Sequence, residues 1–382
     1  MRLIHFSDTH LGFAESSKVD SATLTNIREQ DAYAAFNTII EQAVSRKPDV
    51  VIHAGDLFHS ARPSNRAITT AALGFRKLAA AGIPLVVIAG NHSVPRVATA
   101  GSIFDIWQVL PSIHSAHRGR YEVFEVGEAA IHCVPHVPTE AALAVELAKV
   151  APVGGKRFNV LVMHGAVRDT GDTATGTEFN EVVVDKERLG RFADFDYVAL
   201  GHFHRHLKMA SNAHYSGSSE RFHVDEAGYQ KGYLEVDLEA HRVAFHAIAA
   251  REIVKLPAID CRGQSYDDVA TAVRAGLRRH GCIPGAIVRV RLENIDTVTL
   301  TEVRARRRAL EKECAPDVFE VRWEHSFAER EVKKGKTVGI GSLAAEFGAF
   351  MKTAKTEGLD KARLQRLGND YLARAEGEEA SQ

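Results

Sequence analysis

Short apolar runs alternate with amphipathic stretches along the first half of this 382-residue chain. The runs have the length and composition of buried strands, and they are Arg2–Phe6, Asp49–Ala54, Pro84–Ala89, Phe158–Met163 and Asp196–Leu200. Apolar residues at helical spacing predict helices between the runs, at Arg28–Arg46, Asn65–Ala81 and Thr139–Val150. This alternating order predicts parallel strands joined by right-handed crossovers.

Two pairs of runs have the pattern of antiparallel strands instead. Tyr121–Val126 and Ala129–Val134 flank the turn Gly127-Glu128, and Lys231–Leu238 pairs in the same way with Arg242–Ala249. Parallel and antiparallel strands in one segment predict an α/β fold with two packed sheets and helices outside. We place this domain at residues 1–251.

The pattern changes after residue 251. Strand-like and helical runs then alternate again, at Ile253–Ile259, Ser265–His280, Ala286–Leu292, Thr301–Cys314 and Val318–Trp323. They predict a small α/β cap domain over residues 252–332. Residues 333–382 then begin with a basic linker, Lys333–Lys336, and continue with two short helical patterns. Such a pair of helices buries little apolar surface alone, so we expect it to dock on a partner.

Composition narrows the setting of the protein. The four cysteines lie far apart without a C-x-x-C pair, which argues against disulfides or a thiolate zinc site and fits a reducing compartment. The amino terminus has no signal-peptide pattern and no apolar run reaches membrane-spanning length, so a cytoplasmic protein without a membrane partner is expected. Residues 251–336 carry 18 Lys and Arg against 14 Asp and Glu. That excess hints at nucleic-acid contact, although a solvated charged face explains it equally well.

Metal-binding side chains follow the five apolar runs. In an open sheet, ligands bind at the carboxyl ends of the strands. Carboxylate, amide and imidazole groups suit hard divalent cations, and seven of them stand at these strand ends: Asp8, His10, Asp56, Asn91, His164, His202 and His204. The ordered set predicts one convergent site that holds two divalent cations about 3.5–4 Å apart and acts on a phosphate ester.

Each residue has an expected place in that site. Asp56 on its sharp turn is the candidate bridge between the cations. One cation would be held by Asp8, His10 and His204 and the other by Asn91, His164 and His202. The pattern determines which residues belong to the site better than it determines which of the two cations each residue binds. His92 is expected to stabilise the transition state or to protonate the leaving oxygen. His59 is either a second catalytic helper or a loop residue.

These motifs, in this order, resemble the calcineurin-like metallophosphoesterase superfamily. Phe6–Gly12, His53–His59 and Tyr215–Phe222, followed by Lys231-Gly232, further resemble the SbcD-type exonuclease subunit. That family includes the archaeal and eukaryotic double-strand-break repair nucleases. The resemblance covers roughly the first 250 residues.

The resemblance implies Mn²⁺-dependent cleavage of DNA ends and hairpins. It implies the same seven metal ligands, with His92 and His59 as catalytic residues. It also implies an SbcC-type coiled-coil ATPase as partner, and two nuclease subunits in the complex. One residue departs from the family pattern, because Ser93 stands where an Asp commonly follows the histidine. A serine orients the imidazole more weakly than a carboxylate, so His92 is expected to be a weaker acid catalyst here.

Two other functions stay open at this point. A phosphatase or nucleotide phosphodiesterase would use the same metals on a small substrate. A non-enzymatic scaffold would keep the fold without the chemistry. The cap domain and the tail helices favour the nuclease, since a small substrate does not require them. A scaffold should have lost metal ligands, and none of the seven is missing.

Overall fold

The structure is a computed structural model that describes residues 1–16, 18–94, 101–168, 181–280, 283–314, 318–327, 343–354 and 360–379. The chain divides into two compact units, Met1–Phe327 and Ala328–Gln382. The predicted linker at Lys333–Lys336 lies outside the described residues.

The strands of the first unit are β1 Arg2–Phe6, β2 Val50–His53, β3 Leu85–Ile88, β4 Ile113–Ala116, β5 Glu122–Val126, β6 Ala129–Val134, β7 Phe158–His164, β8 Ala166–Arg168, β9 Val183–Asp185, β10 Tyr197–Gly201, β11 Leu207–Lys208, β12 Ala213–Tyr215, β13 Lys231–Asp237, β14 Arg242–Ile248, β15 Ile253–Lys255, β16 Ile259–Asp260, β17 Ile287–Ile295 and β18 Glu320–Phe327. Its α-helices are α1 Ile27–Arg46, α2 Asn65–Ala80, α3 Glu140–Ala148, α4 Tyr266–His280 and α5 Thr297–Cys314. Short 3-10 helices include Asn91–Ser93 and Val224–Glu226.

Two mixed six-stranded sheets form the body of this unit. The first has the order β14-β13-β1-β2-β3-β4. Strands β1 to β4 are parallel to one another, and β13 is antiparallel to both of its neighbours, β1 and β14. The second has the order β11-β12-β10-β7-β6-β5, with antiparallel strands at both edges of a parallel centre. The five predicted parallel strands and both predicted hairpins are therefore confirmed.

Alternating side chains place the sheets in a layered sandwich. Leu3 and Ile52 point from the first sheet into a core shared with Val160 of the second. Their neighbours Ile4 and Val51 point the other way, into a core with α1 and α2. A third core covers the outer face of the second sheet with α3. Because adjacent residues of a strand face opposite sides, continuous apolar runs suit strands that are covered on both faces.

A third, smaller sheet follows in the same unit. Strands β15, β16 and β18 all pair with β17 and run parallel to it, and they share a separate apolar core with α4 and α5. The expected single strand Ile253–Ile259 is wrong, since β15 and β16 are separate. Pro257 lies between them and has no N–H to donate to the ladder. The domain boundary at residue 251 stays a prediction, because Met1–Phe327 is one compact unit.

The second unit contains two helices, α6 Leu343–Thr353 and α7 Lys361–Glu379. Gly368 permits their close contact, since a Cβ there would lie 2.3 Å from the ring of Phe347. Met351 is buried, whereas Leu367 and Tyr371 are 47% and 70% exposed. Across the part of the chain that the structure describes, no helix combines the length and apolar character needed to cross a bilayer.

Candidate metal centre

Tight turns follow β1 and β2 and draw the ends of these strands together. Asp8 and Asp56 have positive φ angles of 51° each, and His10 has 41°. The Asp8 N–H donates to the Gly55 carbonyl at 3.0 Å, and the His10 N–H donates to the Asp56 carbonyl at 3.0 Å. Gly55 leaves room for the neighbouring strand, because a Cβ there would lie 2.1 Å from Nδ1 of His164. The local backbone thus directs both carboxylates to one edge of the sandwich.

Asp8, Asp56 and His164 form the first donor group, with one ligand atom from each within 4.8 Å of the others. His164 Nδ1 donates to the Ala54 carbonyl at 2.9 Å. Its Nε2 lies 2.9 Å from Oδ1 of Asn91 and 3.3 Å from Oδ2 of Asp56. Because Nδ1 carries the proton of the neutral imidazole and donates it to a carbonyl, Nε2 carries a lone pair. This lone pair faces two oxygens, which are themselves acceptors. A bound cation or a second proton resolves that conflict, so this group fits a metal.

The charges of this group respond strongly to burial. Burial lowers the pKa of His164, but the charges of Asp56 and Asp8 and the hydrogen bonds to Asp56 and the Ala54 carbonyl together outweigh burial and raise that pKa to about 9. Burial works against ionisation of Asp56, but His164, His10 and His92 together outweigh burial and hold the pKa of this carboxyl well below its usual value. Asp8 instead has a pKa raised by burial. Buried carboxylates at one edge, unevenly compensated by imidazoles, are the environment that a divalent cation neutralises.

Asp8, His10 and His204 form the second donor group. Nε2 of His10 and Nε2 of His204 lie 3.1 Å apart. His204 donates its Nδ1 proton to Glu226 at 2.8 Å, which turns Nε2 of a neutral ring toward His10. Burial holds the pKa of His10 well below its usual value, so this ring is neutral, the form that binds metal. Two imidazole nitrogens that face each other again fit a cation between them.

His202 lies at the same edge with different contacts. Its backbone N–H donates to both carboxylate oxygens of Asp8 at 3.1 Å. Its ring centroid is 5.4 Å from that of His164. Its Nε2 lies 3.0 Å from Glu181, a carboxylate that Arg168 also contacts at 2.6 Å. The structure therefore brings His202 to the site, with its Nε2 directed to Glu181.

His59 and His92 stand beside the second donor group, and each offers a nitrogen within 4.8 Å of one on His10. Their rings stack with centroids 5.4 Å apart. The His92 Nδ1 donates to the His59 carbonyl at 3.2 Å, and the His92 backbone N–H donates to Oδ1 of Asp56 at 3.0 Å. All nine predicted residues are thus linked by contacts at one edge, and their roles as ligands and catalysts stay predictions.

Comparison with known proteins identifies the family of the chain. The family model of the calcineurin-like phosphoesterases matches residues 1–206. The chain belongs to this family. Proteins named DNA double-strand break repair protein Mre11 are similar to it in sequence. The protein from Sulfurisphaera tokodaii is 29% identical over 208 residues, which are 53% of this chain and 49% of the relative.

Two further relatives of this phosphoesterase carry the same name. The protein from Methanocaldococcus jannaschii is 28% identical over 254 residues, 63% of each chain. That from Thermoplasma acidophilum is 31% identical over 239 residues, 61% of this chain and 59% of the relative. The chain spans about half to somewhat under two thirds of the length of these three relatives.

Several residues that shape the phosphoesterase site were not predicted from the sequence. Glu226 orients His204, and its carboxylate also pairs with the buried Lys231. Lys231 Nζ donates to the His204 carbonyl at 2.8 Å and to the Ser218 hydroxyl at 2.8 Å. Two residues of the sequence motifs, Ser218 and Lys231, therefore support the backbone and ring of His204. Glu226 carries no motif of its own, and only this fold reveals its partner.

Ser93 does not support the neighbouring imidazole. It is 1% exposed, and among the described residues none hydrogen-bonds its hydroxyl. Nδ1 of His92 is directed to the His59 carbonyl instead. A carboxylate at position 93 would add negative charge beside a protonated His92 and stabilise it.

We expect Ser93→Asp to raise kcat by about tenfold, since partners that orient a catalytic imidazole have effects of that size. The measurement is Mn²⁺-dependent phosphodiester hydrolysis at saturating substrate. Ser93→Asn is the matched control, because it has nearly the same shape without the charge. A Ser93→Asp protein no faster than Ser93→Asn would contradict the expectation.

Metal affinity should depend on pH because a proton and a cation compete for His164. Its pKa of about 9 means that the ring is protonated at neutral pH without metal. Binding must expel that proton. We therefore expect Mn²⁺ affinity to rise about tenfold per pH unit from pH 7 toward 8.5. Calorimetric titration in buffers of different ionisation enthalpy measures both quantities. An affinity independent of pH, without proton release, would contradict this ligand assignment.

Proposed function

We propose that the chain is a metal-dependent DNA nuclease that cleaves DNA ends and hairpins with two divalent cations. Mn²⁺ is the expected metal, and an SbcCD-like repair complex in the cytoplasm is the expected setting. The observation that carries the proposal is the pair of donor groups that meet at Asp8, one with His10 and His204 and one with Asp56 and His164. The relatives named for double-strand break repair support DNA as the substrate.

In this proposal Asp8, His10 and His204 would hold one cation, Asn91, His164 and His202 would hold the other, and Asp56 would serve both. Asp56 keeps its predicted bridging role, and Asp8, which belongs to both donor groups, is a second candidate for it. When bound, the cations supply activation of water and neutralisation of the phosphate charge. The protein itself fixes the tautomers, because Glu226 and the Ala54 carbonyl take the Nδ1 protons of His204 and His164.

His92 is the proposed proton donor to the leaving oxygen. Its Nδ1 proton is held by the His59 carbonyl, so proton exchange falls to Nε2. Burial and then the neighbouring His92 lower the pKa of His59, which keeps His59 neutral near pH 7. A neutral ring stacked on His92 buttresses it without repelling a protonated partner.

The cap domain, residues 252–332, is proposed to contact DNA. A groove of about 990 Å³ lies between α5 and β18 and reaches Lys18 near the start of the chain. Its lining includes Arg307, Arg308, Lys312 and Trp323 together with several glutamates. Cations and an aromatic ring in one groove suit phosphate and base contacts.

A cleavage assay tests the proposed activity. Purified protein with Mn²⁺ should cut labelled duplex and hairpin DNA, and a chelator should stop the reaction. Hydrolysis of small aryl phosphates without DNA cleavage would favour a small-substrate phosphatase. Hydrolysis of neither substrate, by a protein that binds Mn²⁺, would favour a scaffold. Either of the last two results rejects the nuclease.

The tail helices α6 and α7 are the proposed site for an SbcC-type ATPase, within a complex that contains two copies of this chain. Exposed Leu367 and Tyr371 offer apolar surface for a coiled coil. Truncation near Thr337 should abolish co-purification with the ATPase and leave Mn²⁺-dependent hydrolysis unchanged, because Met1–Phe327 is compact by itself. Leu367→Asp in the full chain should weaken co-purification, with Asp370→Ala as control. Retention of the ATPase by the truncated chain would exclude the tail.

A further inference from the structure

Arg251, at the entrance to β15, joins three parts of the first unit. Its Nε and Nη2 donate to the two carboxylate oxygens of Asp31 on α1, at 2.6 and 2.7 Å. Its Nη1 donates to the Gly285 carbonyl just before β17, at 2.6 Å. The guanidinium also lies 4.2 Å from the centroid of the Phe319 ring. Lysine cannot reproduce this combination, because it lacks the planar fork and the stacking face.

Asp31 continues the network toward the interior. Arg28 contacts Asp31 at 2.6 Å and Glu220 at 3.5 Å, and it also donates to the Arg221 carbonyl. The Glu220 carboxylate accepts the backbone N–H of Arg251 at 3.1 Å and that of Arg221 at 2.9 Å. The side chains of Arg28 and Glu220 are only 1% and 2% exposed. The side-chain charges of Arg28, Arg251, Asp31 and Glu220 sum to zero, which compensates their burial, and the backbone N–H of Arg251 closes this charged ring.

This ring fixes the residue that packs on the second donor group. Phe222 follows Glu220 and Arg221 directly, and its ring meets His10 and His204 edge to face with centroids 4.9 and 5.6 Å away. The Phe222 N–H donates to Glu226 at 3.2 Å, and the same carboxylate oxygen orients His204. Phe222 is thus held on one side by the charged ring and on the other by Glu226.

We propose that Arg251 is a positioning residue for the metal centre. By clamping residues 220–222, it makes Phe222 hold the imidazoles of His10 and His204 at the separation that one cation requires. The inference rests on the proposed function to the extent that these two histidines are ligands. Metal–ligand distances tolerate only about 0.2 Å, so a small shift of the Phe222 ring is enough to weaken binding.

The same contacts link the metal centre to the third sheet. Phe319 directly precedes β18, and Gly285 and Arg251 lie two residues before β17 and β15. A displacement of this sheet against α1 breaks the Arg251 contacts and releases the 220–222 segment. The occupancy of the metal position at His10 and His204 therefore depends on where the third sheet lies relative to α1.

Mn²⁺ binding, counted by electron paramagnetic resonance and calorimetry, tests the proposal independently of DNA cleavage. In Arg251→Ala and Arg251→Lys, one of the two ions should bind at least about tenfold more weakly. Arg262→Ala is the matched control, since this arginine pairs with Asp260 and is 71% exposed in its side chain. It should bind both ions like the wild-type protein. Should Arg251→Ala not fold, Arg251→Lys and Asp31→Asn carry the same expectation.

A double variant separates positioning from general stability. Phe222→Leu should weaken the binding of the same ion, although it leaves the charged ring intact. Because Arg251 acts through Phe222, the effects of the two substitutions should not add. The double variant Arg251→Ala/Phe222→Leu should bind Mn²⁺ no more weakly than the single variant that has the lower Mn²⁺ affinity. A lower Tm with unchanged Mn²⁺ binding, or losses that add, would overturn the proposal. Wild-type protein that binds two ions without cutting DNA would reject the nuclease only, whereas wild-type protein that binds none would reject both proposals.

Discussion

Replacing Asp56 by asparagine should lower kcat for DNA cleavage at least about a thousandfold, equivalent to about 4 kcal/mol of transition-state stabilisation. Asparagine keeps the shape of the side chain, and its carbonyl oxygen can still accept the His92 N–H that Oδ1 of Asp56 accepts at 3.0 Å. It removes the negative charge that His164 faces at 3.3 Å and that the cations require. Binding of Mn²⁺ should weaken in parallel, because a bridging ligand serves both ions.

Asp49→Asn is the matched control for this experiment. Asp49 lies just before β2, at the end of the strand opposite to Asp56, where it accepts the Arg2 N–H at 2.7 Å. The control should keep full activity and full metal occupancy. An Asp56→Asn protein that retains two tightly bound ions and cuts DNA at the wild-type rate would show that Asp56 is no ligand.

Replacing Glu226 by glutamine should damage stability and metal binding together. The carboxylate pairs with His204 and with Lys231, whose side chain is fully buried. Removal of one partner leaves the Lys231 charge uncompensated in the interior, at a cost of about 3 kcal/mol in the free energy of unfolding. Glutamine can still accept the Nδ1 proton of His204, but it lacks the negative charge that makes this ring a more basic ligand, so Mn²⁺ affinity should fall between about 10- and 100-fold. Denaturant unfolding and calorimetric titration measure the two effects.

The double variant Glu226→Gln/Lys231→Met distinguishes these two effects. Methionine removes the buried charge, so most of the lost stability should return. The negative charge beside His204 should stay absent, so the loss of Mn²⁺ affinity should remain. Recovery of both properties would mean that Glu226 serves only to neutralise Lys231. Loss of neither in the single variant would contradict the contacts of Glu226 altogether.

Much of the architecture follows from local sequence patterns. Strand β1 matches its apolar run residue for residue, β7 differs from its run by one residue at the carboxyl end, and β2, β3 and β10 differ from theirs by one residue at each end. Runs such as these are reliable because each strand is covered on both faces and must be apolar throughout. The site residues followed from the same rule, since parallel strands deliver the residues after them to one edge.

Other features depend on contacts between distant parts of the chain. Glu226 ends a short 3-10 helix, Glu181 lies just before β9, and neither belongs to a periodic pattern. Only the fold identifies their partners, His204 and His202. The Arg251–Asp31 pair joins residues 220 positions apart. The sequence shows Ser93 as a departure from the family pattern. That Ser93 is buried, and that no described residue hydrogen-bonds its hydroxyl, could be seen only once the neighbouring side chains were placed by the fold. A sequence pattern predicts which face of a strand or helix a residue occupies. It does not predict as readily which charged side chain that residue contacts.

Anomalous scattering from crystals grown with Mn²⁺ would locate the metal ions themselves. We expect two peaks about 3.5–4 Å apart, one beside His10 and His204 and the other beside Asn91 and His164, with Asp8 and Asp56 between them. Peaks elsewhere on the protein, or no peak at this edge of the sandwich in crystals that hold Mn²⁺, would contradict this expectation.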